Sequence, residues 1–128
     1  MAEGRILRLG DLTEGVFRIG PGQKVAYVTD TADTPDNAAR ILALAAGADD
    51  LYIEAVFLAA DWVAATRTRH LTAARAGALA RAAGVRRAVP FHHSARYTDD
   101  PDAPAAEFRA AFADADRTIG AAPFSPLP

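Results

Sequence analysis

Three apolar runs in this chain end in, or just before, a side chain that can carry charge or bind a metal: Asp30 after Val25-Ala26-Tyr27-Val28, Glu54 after Leu51-Tyr52-Ile53, and His92 after Val85 to Phe91. In open α/β sheets ligands gather outside the carboxyl ends of the strands, so this coincidence marks the place to look for chemistry. The chain has no cysteine, so a metal could be held only by histidine nitrogen and carboxylate oxygen. Each residue has a plainer alternative. Asp30, in Thr29-Asp30-Thr31, can be a turn or capping aspartate; Glu54 can be solvated; His70, after Arg67-Thr68-Arg69, can be a loop histidine. In extended chain the adjacent His92 and His93 point to opposite sides, so at most one of them faces a shared site.

The elements that must position these residues follow from patterning. Arg5-Ile6-Leu7-Arg8-Leu9 and Gly15-Val16-Phe17-Arg18-Ile19 are β-rich and could pair as a hairpin ahead of the turn Gly20-Pro21-Gly22. Lys24 to Val28 is a short buried strand running into a polar turn. Pro35 and Asp36 open a helix whose broad apolar face is Ala39, Ile41, Leu42, Leu44 and Ala45, with Gly47 as its stop. A second strand, Leu51 to Ile53, leads to a helix from about Leu58 to Thr66 that contains the sole tryptophan, Trp62. Thr72 can cap a third helix running through Ala73, Ala76, Leu79, Ala80 and Ala83 to Gly84. Val85 to Phe91 is the next strand, and Pro90 within it removes a ladder donor and so places it at an edge or a bulge. Helical periodicity returns over residues 105–115, and the proline-containing tail Ala121 to Pro128 reads as frayed. Alternating strands and helices make the chain α/β.

Bulk properties narrow the function classes. At 128 residues, 51% hydrophobic and 23% charged, the chain has the size and composition of one folded domain. A formal charge of −2 offers no overall field for a polyanion, so any RNA contact must be local. There is no run of the ~20 apolar residues a membrane helix needs, and the acidic start Met1-Ala2-Glu3-Gly4 lacks the features of a signal peptide; the expectation is a cytoplasmic protein with no membrane partner. The bias toward arginine and alanine is attributed to a GC-rich genome.

Four motifs in order resemble the ribonuclease Z family of metallo-β-lactamase-fold hydrolases. They are Tyr27-Val28-Thr29-Asp30-Thr31, Ile53-Glu54-Ala55-Val56-Phe57, His70-Leu71-Thr72, and Phe91-His92-His93-Ser94-Ala95-Arg96-Tyr97. The resemblance covers about Lys24 to Tyr97 and implies a partial domain over residues 1–128, the C-terminal half of an αββα sandwich, with a mixed sheet and helices packed on one face. By the same resemblance Asp30 would bridge two zinc ions and His92 would bind one of them. His70 would stabilise charge or pass a proton at the scissile phosphate, with Glu54 orienting it, and Ser94 and Arg96 would contact phosphate. The chain departs from the family pattern at Ile53, Val56, His93 and Ala95. It also has no counterpart of the family's His-x-His-x-Asp-His cluster, and only three histidines in all.

Three readings follow. The chain can be half of a zinc-dependent phosphodiesterase or tRNA 3′-processing endonuclease, inactive until a complementary N-terminal half or a second copy completes it. It can be a non-catalytic interaction or dimerisation module derived from that fold. It can, third, be a stand-alone hydrolase with a single His/Asp metal site, the reading for which fewest ligands are available.

Overall fold

A computed structural model describes Gly4 and residues 6–113. In chain order the elements are helix α1 (Leu9–Gly15), strand β1 (Val25–Val28), helix α2 (Pro35–Ala45), strand β2 (Asp50–Glu54), helix α3 (Trp62–Thr68), helix α4 (Ala73–Ala82), strand β3 (Arg87–Phe91) and helix α5 (Ala103–Ala113). A 3-10 turn, Ala59–Asp61, leads into α3.

The three strands form one sheet in the order β1-β2-β3, with both pairings parallel. This corrects the expectation of a mixed sheet: every connection among these strands is a helical crossover, and such crossovers join parallel neighbours. Two successive crossovers of the usual right hand, made in the same direction across the sheet, put their helices on the same face. Burial agrees. Ala26, Val28, Leu51 and Ile53 are buried with Ala38, Ile41 and Ala45 of α2 and Ala73, Ala76, Leu79 and Ala80 of α4, while Val25 and Tyr27, pointing the other way, are 59% and 62% exposed. Each fully buried Leu, Ile or Phe in this layer contributes about 1.5–3 kcal/mol. Pro90 sits opposite Ile53 in β3, which is an edge strand of the described sheet, so its missing N–H costs no ladder bond on the outer side.

Local signals account for the element ends. Thr34 Oγ1 accepts from the Asn37 N–H at 3.2 Å, and Pro35 occupies the first turn of α2. Thr72 Oγ1 accepts from the Arg75 N–H at 3.3 Å, and Glu107 of α5 adds a second cap by accepting from the Ala74 N–H at 3.0 Å. Gly47 and Gly84 end α2 and α4 with φ of 62° and 65°. The apolar face of α2 is narrower than its periodicity suggests, because Leu44 turns outward and is 54% exposed.

The N-terminal hairpin does not form. Leu9–Gly15 is helical, with the Arg8 N–H donating to Asp11 Oδ2 at 3.2 Å; the Val16 and Phe17 N–H groups both donate to the Leu12 carbonyl, at 2.9 and 2.7 Å, and Val16, Phe17 and Ile19 are more than half exposed. Strand pairing needs a partner brought from a distance, whereas these helical bonds are made within four residues; with no apolar layer over this stretch, the local bonds decide. Arg5 lies outside the described residues, as do residues 114 and 115 of the expected last helix and the tail Ala121 to Pro128. Among the described residues no helix is long and apolar enough to cross a membrane.

Helices α4 and α5 come close together at Gly77. A Cβ added at Gly77 would lie 2.5 Å from the Phe108 carbonyl oxygen and 2.9 Å from the Ala111 Cβ. Alanine ordinarily stabilises a helix by about 1 kcal/mol over glycine. Gly77→Ala is nevertheless expected to lower the unfolding free energy by about 1–3 kcal/mol through overpacking, read as a lower urea midpoint.

Candidate metal centre

The carboxyl ends of β1, β2 and β3 converge on Asp30, Glu54, His70 and His92, one ligand-type atom from each lying within 4.8 Å of the others. Asp30 is two residues beyond β1, Glu54 is the last residue of β2, and His92 follows β3 directly. His70 comes from the connection between α3 and α4. Its segment runs beside the continuation of β2: the Val56 N–H donates to the Leu71 carbonyl at 3.2 Å, and the Ala73 N–H to the Phe57 carbonyl at 2.7 Å.

Glu54 organises the cluster. Its side chain is fully buried, and its oxygens accept from the Asp30 N–H (2.9 Å), the Thr31 N–H (3.3 Å) and the Leu71 N–H (2.9 Å). His70 Nδ1 lies 3.0 Å from Oε2, and His92 Nδ1 lies 3.4 Å from the same oxygen. Because the carboxylate offers only acceptors, this network assigns the proton of His70 to Nδ1 and leaves Nε2 with its lone pair. The solvated alternatives for Glu54 and His70 are therefore set aside; the His70 side chain is only 21% exposed.

Asp30 is different in kind. Its side chain is 72% exposed, with Oδ1 4.0 Å from His70 Nδ1, and the capping role open to it in the sequence is taken by Thr34. Its backbone has φ of 51°, His92 has φ of 62°, and Arg69, next to His70, also has φ of 62°. These are the non-glycine residues with positive φ among those described, and all three lie in or beside the cluster. Left-handed backbone costs an ordinary residue on the order of 1–2 kcal/mol, and such costs collect where a side chain must be aimed.

The other expected residues lie nearby in a second network. His93 turns away from the cluster, with Nδ1 2.9 Å from the Ala55 carbonyl; the turn is made by the left-handed backbone of His92, φ 62°, and not by strand alternation. The Ser94 N–H donates to the Val56 carbonyl at 2.9 Å, and Ser94 Oγ accepts from the Arg96 N–H at 3.4 Å. The Arg96 guanidinium stands 5.0 Å over the Phe57 ring, whose centroid is 6.3 Å from that of His70, and pairs with Asp61 at 3.2 Å. Tyr97 donates its hydroxyl hydrogen to Asp61 at 2.6 Å and accepts from the Leu58 N–H at 2.7 Å. Sequence reasoning gave Asp61 and Glu107 no role. Asp61 is 36 residues from Tyr97 and Glu107 is 48 from Ala59, so neither partnership has a local signature.

Residues 10–93 match the β-lactamase superfamily domain. The chain belongs to that superfamily. It is 41% identical over 120 residues to ribonuclease Z of Streptomyces avermitilis, covering 91% of this chain and 38% of the relative. It is 41% identical over 106 residues to the ribonuclease Z of Salinispora arenicola, covering 77% of this chain and 33% of the relative. With the Thermobifida fusca ribonuclease Z it shares 52% identity over 79 residues, 62% of this chain and 24% of the relative. The aligned part of the chain thus spans between about a quarter and two-fifths of these relatives' length.

Two outcomes follow from the geometry. Glu54→Gln puts an amide among groups that all donate, and is expected to cost about 1–3 kcal/mol in a denaturant titration and to shift the His70 ring nitrogen resonances in NMR. The Tyr97 hydroxyl is held above the ordinary phenol value of 10.0, first by burial and then by its hydrogen bond to Asp61. A folded-state value raised above the unfolded one keeps its full contribution to stability below about pH 10 and loses it as the pH climbs through the raised value. An ultraviolet titration should therefore show one tyrosine ionising late, and Asp61→Ala should bring that ionisation down.

Proposed function

We propose that this chain is part of a ribonuclease Z-like, zinc-dependent phosphodiesterase that processes the 3′ ends of tRNA, and that it is inactive alone. The observation that carries the reading is the convergence of Asp30, Glu54, His70 and His92 at the ends of three parallel strands. It is supported by similarity to relatives named ribonuclease Z.

The donor set fits zinc, which takes imidazole nitrogen and carboxylate oxygen in hydrolytic sites. Although four residues are close enough to share an ion, Glu54 already accepts three backbone N–H bonds and the His70 ring, so we assign Asp30 and His92 as ligands. Two zinc ions would supply positive charge at both the attacking and leaving oxygens of a phosphodiester. In this reading Asp30 offers both its oxygens, and its exposure leaves them free for a bridging position. His70, with its Nδ1 proton held by Glu54, first takes a proton from solvent at Nε2 and, as the imidazolium, gives that Nε2 proton to the departing oxygen, returning to the neutral ring. Glu54 is a positioning residue that sets the tautomer and the ring plane. Ser94 and Arg96 stand at the edge of the site as phosphate contacts, with Arg96 steadied by Phe57 and Asp61.

The two ligands fall short of the three or four a stable zinc site needs. A complementary N-terminal part or a second copy of the chain would supply the rest. A second reading, a non-catalytic interaction module, is favoured by the open sheet face that carries Val25 and Tyr27, since contiguous exposed apolar surface marks an interface.

The deciding experiment is zinc content and bis-p-nitrophenyl phosphate hydrolysis for the purified chain, alone and mixed with a polypeptide carrying a His-x-His-x-Asp-His segment of a relative. The chain alone is expected to give background rates, the mixture to turn over, and Asp30→Ala to return the mixture to background. Asp30-dependent turnover by the chain alone would overturn the inactive-half reading, while a silent mixture would favour the interaction module.

A further inference from the structure

Helix α3 presents an aromatic and basic surface that the proposed phosphodiester chemistry does not use. Trp62 and Val63 are 53% and 61% exposed, and Arg67 and Arg69 at the other end of the helix are also exposed. Trp62, Val63 and Arg67 share the solvent side, because their spacing puts them within about 140° of arc on a helix of 3.6 residues per turn, while Ala65 opposite them is 4% exposed.

Along the chain this segment is net positive, with the Glu107 carboxylate of α5 standing at its far end beside Ala59. Between Ala55 and Thr72 the only acid is Asp61, against Arg67 and Arg69. Asp61 is already engaged, by Arg96 at 3.2 Å and Tyr97 at 2.6 Å. On a chain of net charge −2 this is a local cationic strip. It also leads to the candidate centre: Arg69 adjoins His70, and the seven residues of α3 carry the surface about 10 Å away from it.

We infer that α3 is a platform for the single-stranded part of an RNA lying across the centre, with an unpaired base stacked on Trp62 and the flanking phosphates held by Arg67 and Arg69. An exposed indole beside arginines suits single strands, because each unpaired base offers a flat face to stack while the guanidinium groups take the phosphates. A duplex hides those faces. The inference rests on the phosphodiesterase reading for its substrate class, but binding is separable from metal and turnover.

Trp62 is the chain's only tryptophan, so it reports on itself. The whole chain in EDTA is titrated with octauridylate, following tryptophan emission and, with a labelled oligonucleotide, anisotropy. The expected result is quenching that saturates and weakens as salt rises. Arg67→Glu with Arg69→Glu should bind at least about tenfold more weakly, and Trp62→Ala about fivefold or more by anisotropy, with circular dichroism unchanged in both. Binding without a change in Trp62 emission would overturn the placement, as would equal quenching by duplex RNA of the same length or no binding at all. Because no metal is present, failure here leaves the hydrolysis experiment to judge the phosphodiesterase reading by itself.

Discussion

A carboxylate buried without partners is among the most costly groups a small domain can contain, and Glu54 is fully buried. Its cost is offset only if several donors arrive together. They come from three separate segments: the turn after β1 gives the Asp30 and Thr31 N–H groups, the α3–α4 connection gives the Leu71 N–H and the His70 ring, and the end of β3 brings His92 alongside. Satisfying one buried group thus draws together every residue of the candidate centre. The geometry of the centre is thus set by hydrogen bonds to Glu54.

The sheet and helices absorb the strain that this arrangement creates. Asp30, Arg69 and His92 each hold a left-handed backbone, and each follows a regular element that is well anchored. The turn after β1 is held further by Asn37 Nδ2 donating to the Ala32 carbonyl at 3.0 Å and by the Arg75–Asp33 pair at 2.9 Å. On the far side Glu107 holds the Ala59 and Ala74 N–H groups, fixing both ends of the segment that delivers His70. Helix α5, which contributes nothing to the centre directly, therefore controls where His70 stands, and Gly77 lets it come close enough to do so.

One face of the sheet and the candidate centre are both left open among the described residues. The helical face of the sheet is closed by α2 and α4, whereas the opposite face leaves Val25 and Tyr27 open, with Tyr27 stacked on Phe91 at 5.0 Å for partial shelter. The centre has a well-buried positioning residue but few free ligands. Both deficits fit a chain that spans between about a quarter and two-fifths of its relatives. They also fit the N-terminal stretch, where Ile6, Leu9, Val16, Phe17 and Ile19 are more than half exposed.

Much was legible in the sequence by itself. Short apolar runs ending in Asp30, Glu54 and His92 gave the strands and their functional ends, because a side chain just past a strand must lie at the rim of the sheet. Thr72, Gly47, Gly84 and Pro90 marked element ends and an edge strand, since caps and missing donors act within a few residues. The fourfold motif order pointed to the superfamily. Tertiary structure decided what depends on register and distance: that Glu54 is buried and saturated, that Asp61 joins Arg96 to Tyr97, that Glu107 caps α4, and that the three described strands are all parallel. It also decided against the N-terminal hairpin, whose β-rich residues state a preference that only a neighbouring strand can satisfy. Propensity and spacing act along the chain; burial and hydrogen-bond partnership exist only once distant segments have been brought together.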